Sequence, residues 1–206
     1  MSVSKLKRGR ARPEKSGAVR DSEAGTYVLP PTVSRPELLD GGSDRRFRTL
    51  VGDLLTLTSR MEQVREHHGK RLGISGPQYS VLVAIAHLQG KHGISVGALA
   101  QALHVSSAFV ASETGKLARR NLLLKRVNPL DRRGVLLSVS PAGRLKLDRM
   151  AAEIRAVNDL FFGVLDAEAF MALSNAVSGL IEGSSKAVRF IGSMKGTPQS
   201  AMSRAG

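Results

Sequence analysis

The spacing of apolar residues changes within the segment 95–139, and this change constrains the fold more than any other feature of the sequence. From Ser95 to Arg120 the apolar residues recur every three or four positions in two short stretches, as in helices, with a break at His104-Val105. From Val135 to Val139 they alternate with other residues, as in a strand. Two short helices joined by a tight turn form a helix-turn-helix, and a hairpin directly after it makes a winged helix-turn-helix.

The hairpin has two predicted strands, Leu123 to Val127 and Val135 to Val139. They flank a charged, turn-rich loop with the sequence Asn128-Pro129-Leu130-Asp131-Arg132-Arg133-Gly134. A two-stranded hairpin is marginal alone but stable when it packs against helices. We therefore expect the wing to rest on the helical core.

Start and stop signals predict helices on both sides of this segment. A first helix is predicted from about Asp44 to His68, because its apolar residues form one face. A capping box, Ser75–Gln78, predicts the start of a second helix, which closes near Gly90. The predicted N-caps of the later helices are Ser95 for the third, Ser106 or Ser107 for the fourth, Ser140 for the fifth and Asp166 for the sixth. Asn121, a residue that tolerates the left-handed conformation, marks the end of the fourth. The predicted fold class is mainly α with a small β-hairpin wing and about six helices.

The charge distribution suggests a polyanionic partner. The 206-residue chain has a net charge of +14, which favours nucleic acid or an acidic membrane surface, although solubility alone also explains basic proteins. Residues 1–43 are predicted to be a disordered basic arm, with +6 in residues 1–20, and 193–206 a flexible tail. The winged helix-turn-helix domain, 44–192, retains +9.

Several classes of protein and site are disfavoured. The chain has no Cys, which excludes disulfides and Cys-based zinc sites. The first twenty residues lack the apolar segment of a secretory signal, and the longest apolar run, Val81 to Ala86, is too short for a membrane span. We therefore expect a cytoplasmic protein without membrane contact.

We also predict no enzymatic activity, cofactor or metal site. No catalytic constellation is recognisable, and His87 and His92 lack helical metal-ligand spacing. Glu66-His67-His68 ends the predicted first helix, where a cation is favourable, and this interpretation is preferred to a metal site.

The fourth helix and the hairpin carry the candidate DNA-binding residues. Between Lys116 and Arg133 there are seven basic residues and one acid, a net +6 in eighteen residues. Small or hydroxylic side chains allow close approach to a major groove, and an arginine at a hairpin tip can enter a narrow minor groove. The predicted set is Ser106, Ser107, Ala108, Ala111, Ser112, Lys116, Arg119, Arg120, Lys125, Arg126, Asp131, Arg132 and Arg133.

Three stretches of this region resemble the MarR family of transcriptional regulators. Leu103-His104-Val105-Ser106-Ser107, followed by Leu117-Ala118-Arg119-Arg120-Asn121-Leu122-Leu123, is similar to the recognition-helix region of that family. The 128–134 loop is similar to its wing signature, and Ser140-Pro141-Ala142-Gly143 to the cap that follows. The resemblance covers about residues 47–190 in element order, with motif-level matches confined to about 94–146.

The resemblance implies roles for individual residues. Arg132 or Arg133 would be the minor-groove residue and Asp131 the brace of the wing, while the fourth helix would enter the major groove. The first and the last two helices would form a homodimer interface. A small-molecule effector would sit between the dimer helices and the DNA-binding lobe, with Arg60, His68 and Tyr79 as candidate ligand-binding residues; a packed core without ligand is the alternative.

The sequence departs from the family pattern inside the fourth helix and just after it. Glu113 and Thr114 occupy inner positions that are usually apolar, and Asn121 stands where Gly is usual. Glu113 either faces DNA phosphates unfavourably or pairs with Arg119 or Lys116.

Three functional hypotheses follow. The first is a sequence-specific regulator that binds double-stranded DNA as a homodimer on a pseudo-palindromic operator, released by a small-molecule ligand. The second is a nonspecific architectural or nucleoid DNA-binding protein. The third is a winged helix that binds protein.

Overall fold

The computed structural model describes residues 27, 29–129 and 131–194. The described helices are α1 (Arg45–Leu72), α2 (Gly76–Leu88), α3 (Val96–Ala102), α4 (Ser107–Arg119), α5 (Pro141–Phe162) and α6 (Ala167–Met194). The strands are β1 (Ile94–Ser95), β2 (Leu123–Asn128) and β3 (Asp131–Val139). Of the predicted arm, 1–43, residues 1–26 and 28 lie outside the described residues, as does most of the predicted tail, 193–206.

The chain divides into two units, residues 1–55 and 56–206. In the first, a short 3-10 helix, Pro36–Leu38, precedes α1. Asp44, just before α1, accepts hydrogen bonds from Thr32 N at 2.7 Å and Thr32 Oγ1 at 2.8 Å. These bonds, helped by the Arg48 guanidinium 2.8 Å away, hold the pKa of Asp44 below its usual range.

The helix caps follow the sequence signals. Ser75 and Gln78 form the predicted reciprocal capping box at the start of α2. The single side-chain caps on the other helices are Ser95 for α3, Ser106 for α4, Ser140 for α5 and Asp166 for α6. Asn121 has φ +56°, the predicted left-handed conformation after α4. Each cap satisfies a backbone N–H that the first helical turn leaves free.

The first predicted helix end is wrong. α1 continues from His68 to Leu72 and stops where Gly73 takes φ +73°. His67 and His68 therefore lie inside the helix, and the basic residues of its last turn are Lys70 and Arg71.

The wing is an antiparallel sheet with the strand order β1-β3-β2. Leu123 pairs with Val139 at its base, and the register shifts beyond Val127, so that Asn128 pairs with Asp131. The hairpin is longer than predicted, because residues 131–134, predicted to be loop, already belong to β3. The two-residue strand β1, which the sequence did not predict, pairs with Leu136 and Leu137.

The hydrophobic core lies among α2, α3, α4 and the sheet. Fully buried aliphatic residues come from each element: Val81, Leu82 and Ile85 from α2, Leu99 from α3, Val110 and Leu117 from α4, and Leu137 and Val139 from β3. Burying such a side chain stabilises the fold by about 1.5–3 kcal/mol relative to leaving it exposed. The wing therefore rests on the same core as the helix-turn-helix.

Helix α6 presents its apolar residues to the surface. None of its 28 residues is buried, and Leu180, Val188 and Ile191 are 56, 68 and 54% exposed. Within 29–129 and 131–194 no single helix is long and apolar enough to cross a membrane; only α5 and α6 taken together meet that length and composition, with a 90° bend between them.

Candidate nucleic-acid interface

Helix α4 presents a small-residue face at the protein surface. Ser106, Ser107, Ala108, Ala111 and Ser112 are all exposed, while Val110, Glu113, Thr114 and Leu117 face inward. Ser106 Oγ accepts from Phe109 N at 3.1 Å, which caps the first turn of the helix. A helix with an outer face of this size fits the width of a DNA major groove.

The two polar residues at inner positions of α4 are satisfied inside the protein. Thr114, fully buried, donates from Oγ1 to the Val110 carbonyl at 2.8 Å. Glu113, 7% exposed, accepts from Gln78 Nε2 at 3.1 Å and pairs with Lys116 Nζ at 2.6 Å. The predicted pairing of Glu113 with Lys116 is confirmed. The alternative, in which Glu113 faces DNA phosphates, is wrong, because the carboxylate is buried.

The Glu113 carboxylate is held ionised. The hydrogen bond from Lys116 lowers the pKa of Glu113 most, with a smaller lowering from the Gln78 amide, while burial raises it. Gln78 is also the N3 residue of the α2 capping box, since its Oε1 accepts from Ser75 N at 3.2 Å. One amide side chain thus connects the start of α2 to the middle of α4.

The basic residues after Glu113 are not equally available to a partner. Arg119 is exposed on the last turn of α4, whereas the ammonium of Lys116 is already paired. Arg120, the C-cap residue, donates from its guanidinium to the carbonyl of Gly73. Part of the hydrogen-bonding capacity of Arg120 is therefore used to join α4 to the turn after α1.

The wing adds exposed basic residues to the same unit. Lys125 and Arg126 are exposed on β2, and Asp131 is exposed at the start of β3. The side chains of Arg132 and Arg133 lie outside the described residues. Their minor-groove role, and the bracing role of Asp131, stay predictions.

The joint between the wing and α5 is tightly packed. Ser140, 1% exposed, donates from Oγ to the Asn121 carbonyl at 2.6 Å and accepts from Gly143 N at 2.9 Å. A Cβ on Gly143 would lie 2.3 Å from the Leu122 carbonyl oxygen. Because Gly143 has no Cβ, the first turn of α5 can pack directly against the backbone of Leu122, just before β2.

The three candidate ligand-binding residues do not form one site. His68 and Tyr79 are buried against each other, with ring centroids 5.3 Å apart, and Arg60 is exposed on α1. A nearby cavity of about 1050 Å³ is lined instead by Ser59, Glu62, Gln63, Arg65, Glu66, His67, Lys70, Gly76, Pro77, Ser80, Val81, Leu103, Val105 and Phe109. Sequence reasoning missed this cavity, since its walls come from three separate stretches of the chain.

The order α2–β1–α3–α4–β2–β3, with the hairpin packed on the same core as the helices, defines a winged helix-turn-helix protein. Residues 72–134, which cover this lobe up to the first residues of β3, match the model of the MarR family, so the resemblance found in the sequence is confirmed.

Solved structures share this fold at low sequence identity. The transcriptional regulator SlyA is 13% identical with a TM-score of 0.59, over 69% of this chain and 98% of its own. A MarR mutant from E. coli, complexed with operator DNA, is 17% identical with a TM-score of 0.56, over 66% and 95%. BpsR from Bordetella bronchiseptica, whose DNA binding is regulated by 6-hydroxynicotinic acid, is 24% identical with a TM-score of 0.52, over 63% and 91%. No curated protein matches the chain.

Proposed function

We propose that the protein is a sequence-specific transcriptional regulator that binds double-stranded DNA as a homodimer. The observation that carries this proposal is the exposed face of small and hydroxylic residues on α4, next to a hairpin with exposed cations on the same core. In this arrangement α4 reads base edges in the major groove, and the wing contacts the adjacent backbone and minor groove.

Charge supports DNA as the partner. Seven basic residues lie between Lys116 and Arg133, and the net charge of the chain is +14. Arg119, Lys125 and Arg126 are exposed and suited to phosphates. Neutralising phosphates releases counterions, so affinity for DNA falls steeply with added salt.

The homodimer is proposed from the apolar surface of the terminal helices. On α5 and the turn after it, Leu160 and Val164 are 85 and 89% exposed, and α6 has no buried residue. Helices with an apolar stripe are stable in water when a partner covers that stripe. A twofold dimer presents two α4 helices to successive major grooves, about 34–36 Å apart on a pseudo-palindromic operator.

A small-molecule effector is the second part of the proposal, supported by the 1050 Å³ cavity. Its wall joins polar residues of α1, such as Ser59 and Gln63, to Val105 and Phe109 beside the start of α4. A ligand in this cavity that binds one spacing of the two DNA-binding lobes more tightly than another would shift the dimer toward the conformation with that spacing. Thermal shift with 6-hydroxynicotinic acid and related small acids, followed by DNA binding with each hit, tests this part; hits that leave DNA affinity unchanged contradict it.

The decisive experiment is selection of bound duplexes from a randomised pool, run at two salt concentrations. We expect a palindromic motif with specific affinity well above that of unrelated DNA. The Arg132→Ala, Arg133→Ala double variant should weaken binding by about 1–3 kcal/mol for each arginine that hydrogen-bonds to a base edge. The matched control is Lys146→Ala with Arg155→Ala, which removes the same charge from exposed positions of α5.

The outcomes separate the alternatives. Binding with a steep salt dependence but no motif would indicate a nonspecific architectural protein. No DNA binding would favour a protein partner for the winged helix. Equal weakening in the wing variant and the α5 control would show that net charge, not the wing, supports binding.

A further inference from the structure

A cluster of three potential metal ligands connects α1 to α5. His67 and His68 lie on α1, and Glu153 lies on α5. His67 Nε2 is 2.7 Å from Glu153 Oε1, and one ligand atom from each of the three residues lies within 4.8 Å of the others. The cluster is separate from the exposed α4 face and from the wing.

His68 is the unusual member of the cluster. Its side chain is 2% exposed, and neither ring nitrogen has a hydrogen-bond partner among the residues that the structure describes. Buried polar groups are nearly always paired, so an unpaired imidazole requires an explanation. A neutral imidazole has one nitrogen lone pair, which can bind a metal ion.

The surroundings of Glu153 fit a ligand role. Arg71 Nε is 3.3 Å from Oε2 of Glu153, while Oε1 faces His67. The contacts with His67 and Arg71 together fix the orientation of the carboxylate. Metal-binding carboxylates are commonly held in this way, by a hydrogen bond to the oxygen that does not bind the ion.

We propose that His67, His68 and Glu153 bind one zinc ion and leave its fourth position open to water or another small ligand. Two imidazole nitrogens and one carboxylate oxygen form a donor set typical of zinc. Magnesium and calcium prefer oxygen ligands, and the chain has no Cys for softer ions.

The side chains need only small movements to reach zinc geometry. Metal–ligand bonds of about 2.0–2.2 Å in a tetrahedron place the ligand atoms roughly 3.3 Å apart. To reach this spacing, His67 Nε2 and Glu153 Oε1 must move apart slightly from 2.7 Å. The ligand atoms that lie farthest apart, at most 4.8 Å, must move closer together. The ring of Tyr79 beside His68 provides an apolar wall on the buried side.

Metal binding is tested on the full chain, purified without a histidine tag and stripped of metal. Zinc is titrated in competition with a chromophoric chelator, and cobalt is used separately for its visible absorption in a tetrahedral site. We expect one equivalent of zinc per chain, a cobalt spectrum, and a higher melting temperature with zinc. The variants are His67→Gln and Glu153→Gln, which leave the buried His68 in place.

The variants and controls give opposite expectations. Loss of an outer-shell partner typically weakens metal affinity about 10- to 100-fold, so loss of a ligand should weaken it further. His87→Gln and Glu182→Gln, at exposed positions of α2 and α6, should bind zinc like the wild type. Zinc that the chelator removes completely from the wild type, or equal affinity in His67→Gln, Glu153→Gln and the controls, would overturn the proposal. DNA binding enters none of these readouts.

Discussion

Gln78 and Glu113 are joined by a buried hydrogen bond of 3.1 Å, donated by the amide Nε2 to the carboxylate Oε2. The same amide closes the capping box of α2 through its other atom, and the same carboxylate pairs with Lys116. The position of α4, the proposed recognition helix, is thus stabilised by a buried polar contact as well as by its apolar core residues.

Glu113→Ala should destabilise the protein by about 1–3 kcal/mol, because the Gln78 amide and the Lys116 ammonium both lose a partner and the amide stays buried. Chemical denaturation measures the change. Gln101→Ala, an exposed substitution on α3, should stay within about 0.5 kcal/mol of the wild type. A similar small effect for Glu113→Ala would mean that the buried contact contributes nothing net.

Glu113 also makes a stability contribution that depends on pH. Its pKa is lowered in the folded protein, first by Lys116, so the contribution is present above the ordinary glutamate pKa and is lost as the pH falls through the lower folded-state pKa. We expect the stability of the wild type to fall more steeply on acidification than that of Glu113→Gln. Denaturation of both proteins at several acidic pH values measures the difference between their free energies of unfolding, in which the contributions of the other carboxylates cancel. The same dependence on pH in both proteins would contradict the prediction.

Lys116 and Arg119 should contribute differently to DNA binding. The ammonium of Lys116 lies 2.6 Å from the Glu113 carboxylate, whereas Arg119 is exposed. Arg119→Ala should weaken binding across all sequences and reduce the salt slope by about 1, and Lys116→Ala should change the slope less. Binding curves at several salt concentrations measure both, with Arg155→Ala as the control for net charge. The reverse order would show that Lys116 leaves Glu113 for a phosphate.

Gly143→Ala should strongly destabilise the protein, because its Cβ would lie 2.3 Å from the backbone oxygen of Leu122 and 2.9 Å from Val139 Cγ1. Overpacking of this kind typically costs about 1–3 kcal/mol. Gly97→Ala is the matched control, since nothing lies within 4 Å of its added Cβ in α3; it should stabilise by about 0.4–1 kcal/mol. Urea denaturation compares the two, and equal effects would contradict the packing of the α5 joint.

Leu180→Glu should shift the proposed homodimer toward monomer, because it places a charge in the exposed apolar stripe of α6. Leu180 is 56% exposed. Sedimentation over a range of protein concentrations measures the association, and Lys186→Glu, an exposed change outside the apolar positions of α6, should leave it intact. A wild type that sediments as a monomer throughout would refute the homodimer.

Local signals in the sequence were sufficient for most of the fold. Each cap depends on a side chain and a backbone N–H three residues away, so Ser75, Ser95 and Ser140 were recognisable without tertiary information. The left-handed Asn121 was recognisable from its residue type, because asparagine tolerates positive φ after a helix end.

The errors arose where distant contacts decide the structure. The predicted end of the first helix at His68 is wrong, since α1 continues to Leu72 and the backbone of Ile74 and Ser75 passes within 3 Å of where a Cβ on Gly69 would lie. The cluster of His67 and Glu153 joins residues 86 positions apart, and a two-residue strand such as β1 has no period to detect.

Ser95 belongs to both halves of the winged lobe. It pairs with Leu136 in the sheet, and its hydroxyl caps α3 by accepting from Ala98 N at 3.1 Å. The hairpin and α3 are therefore joined directly at one residue. We expect the winged lobe to change its shape little when it binds a DNA groove. For the proposed function, it is then the DNA that must bend or twist to fit the protein. Because this deformation energy depends on sequence, it would favour some operators over others even through base pairs that no side chain touches.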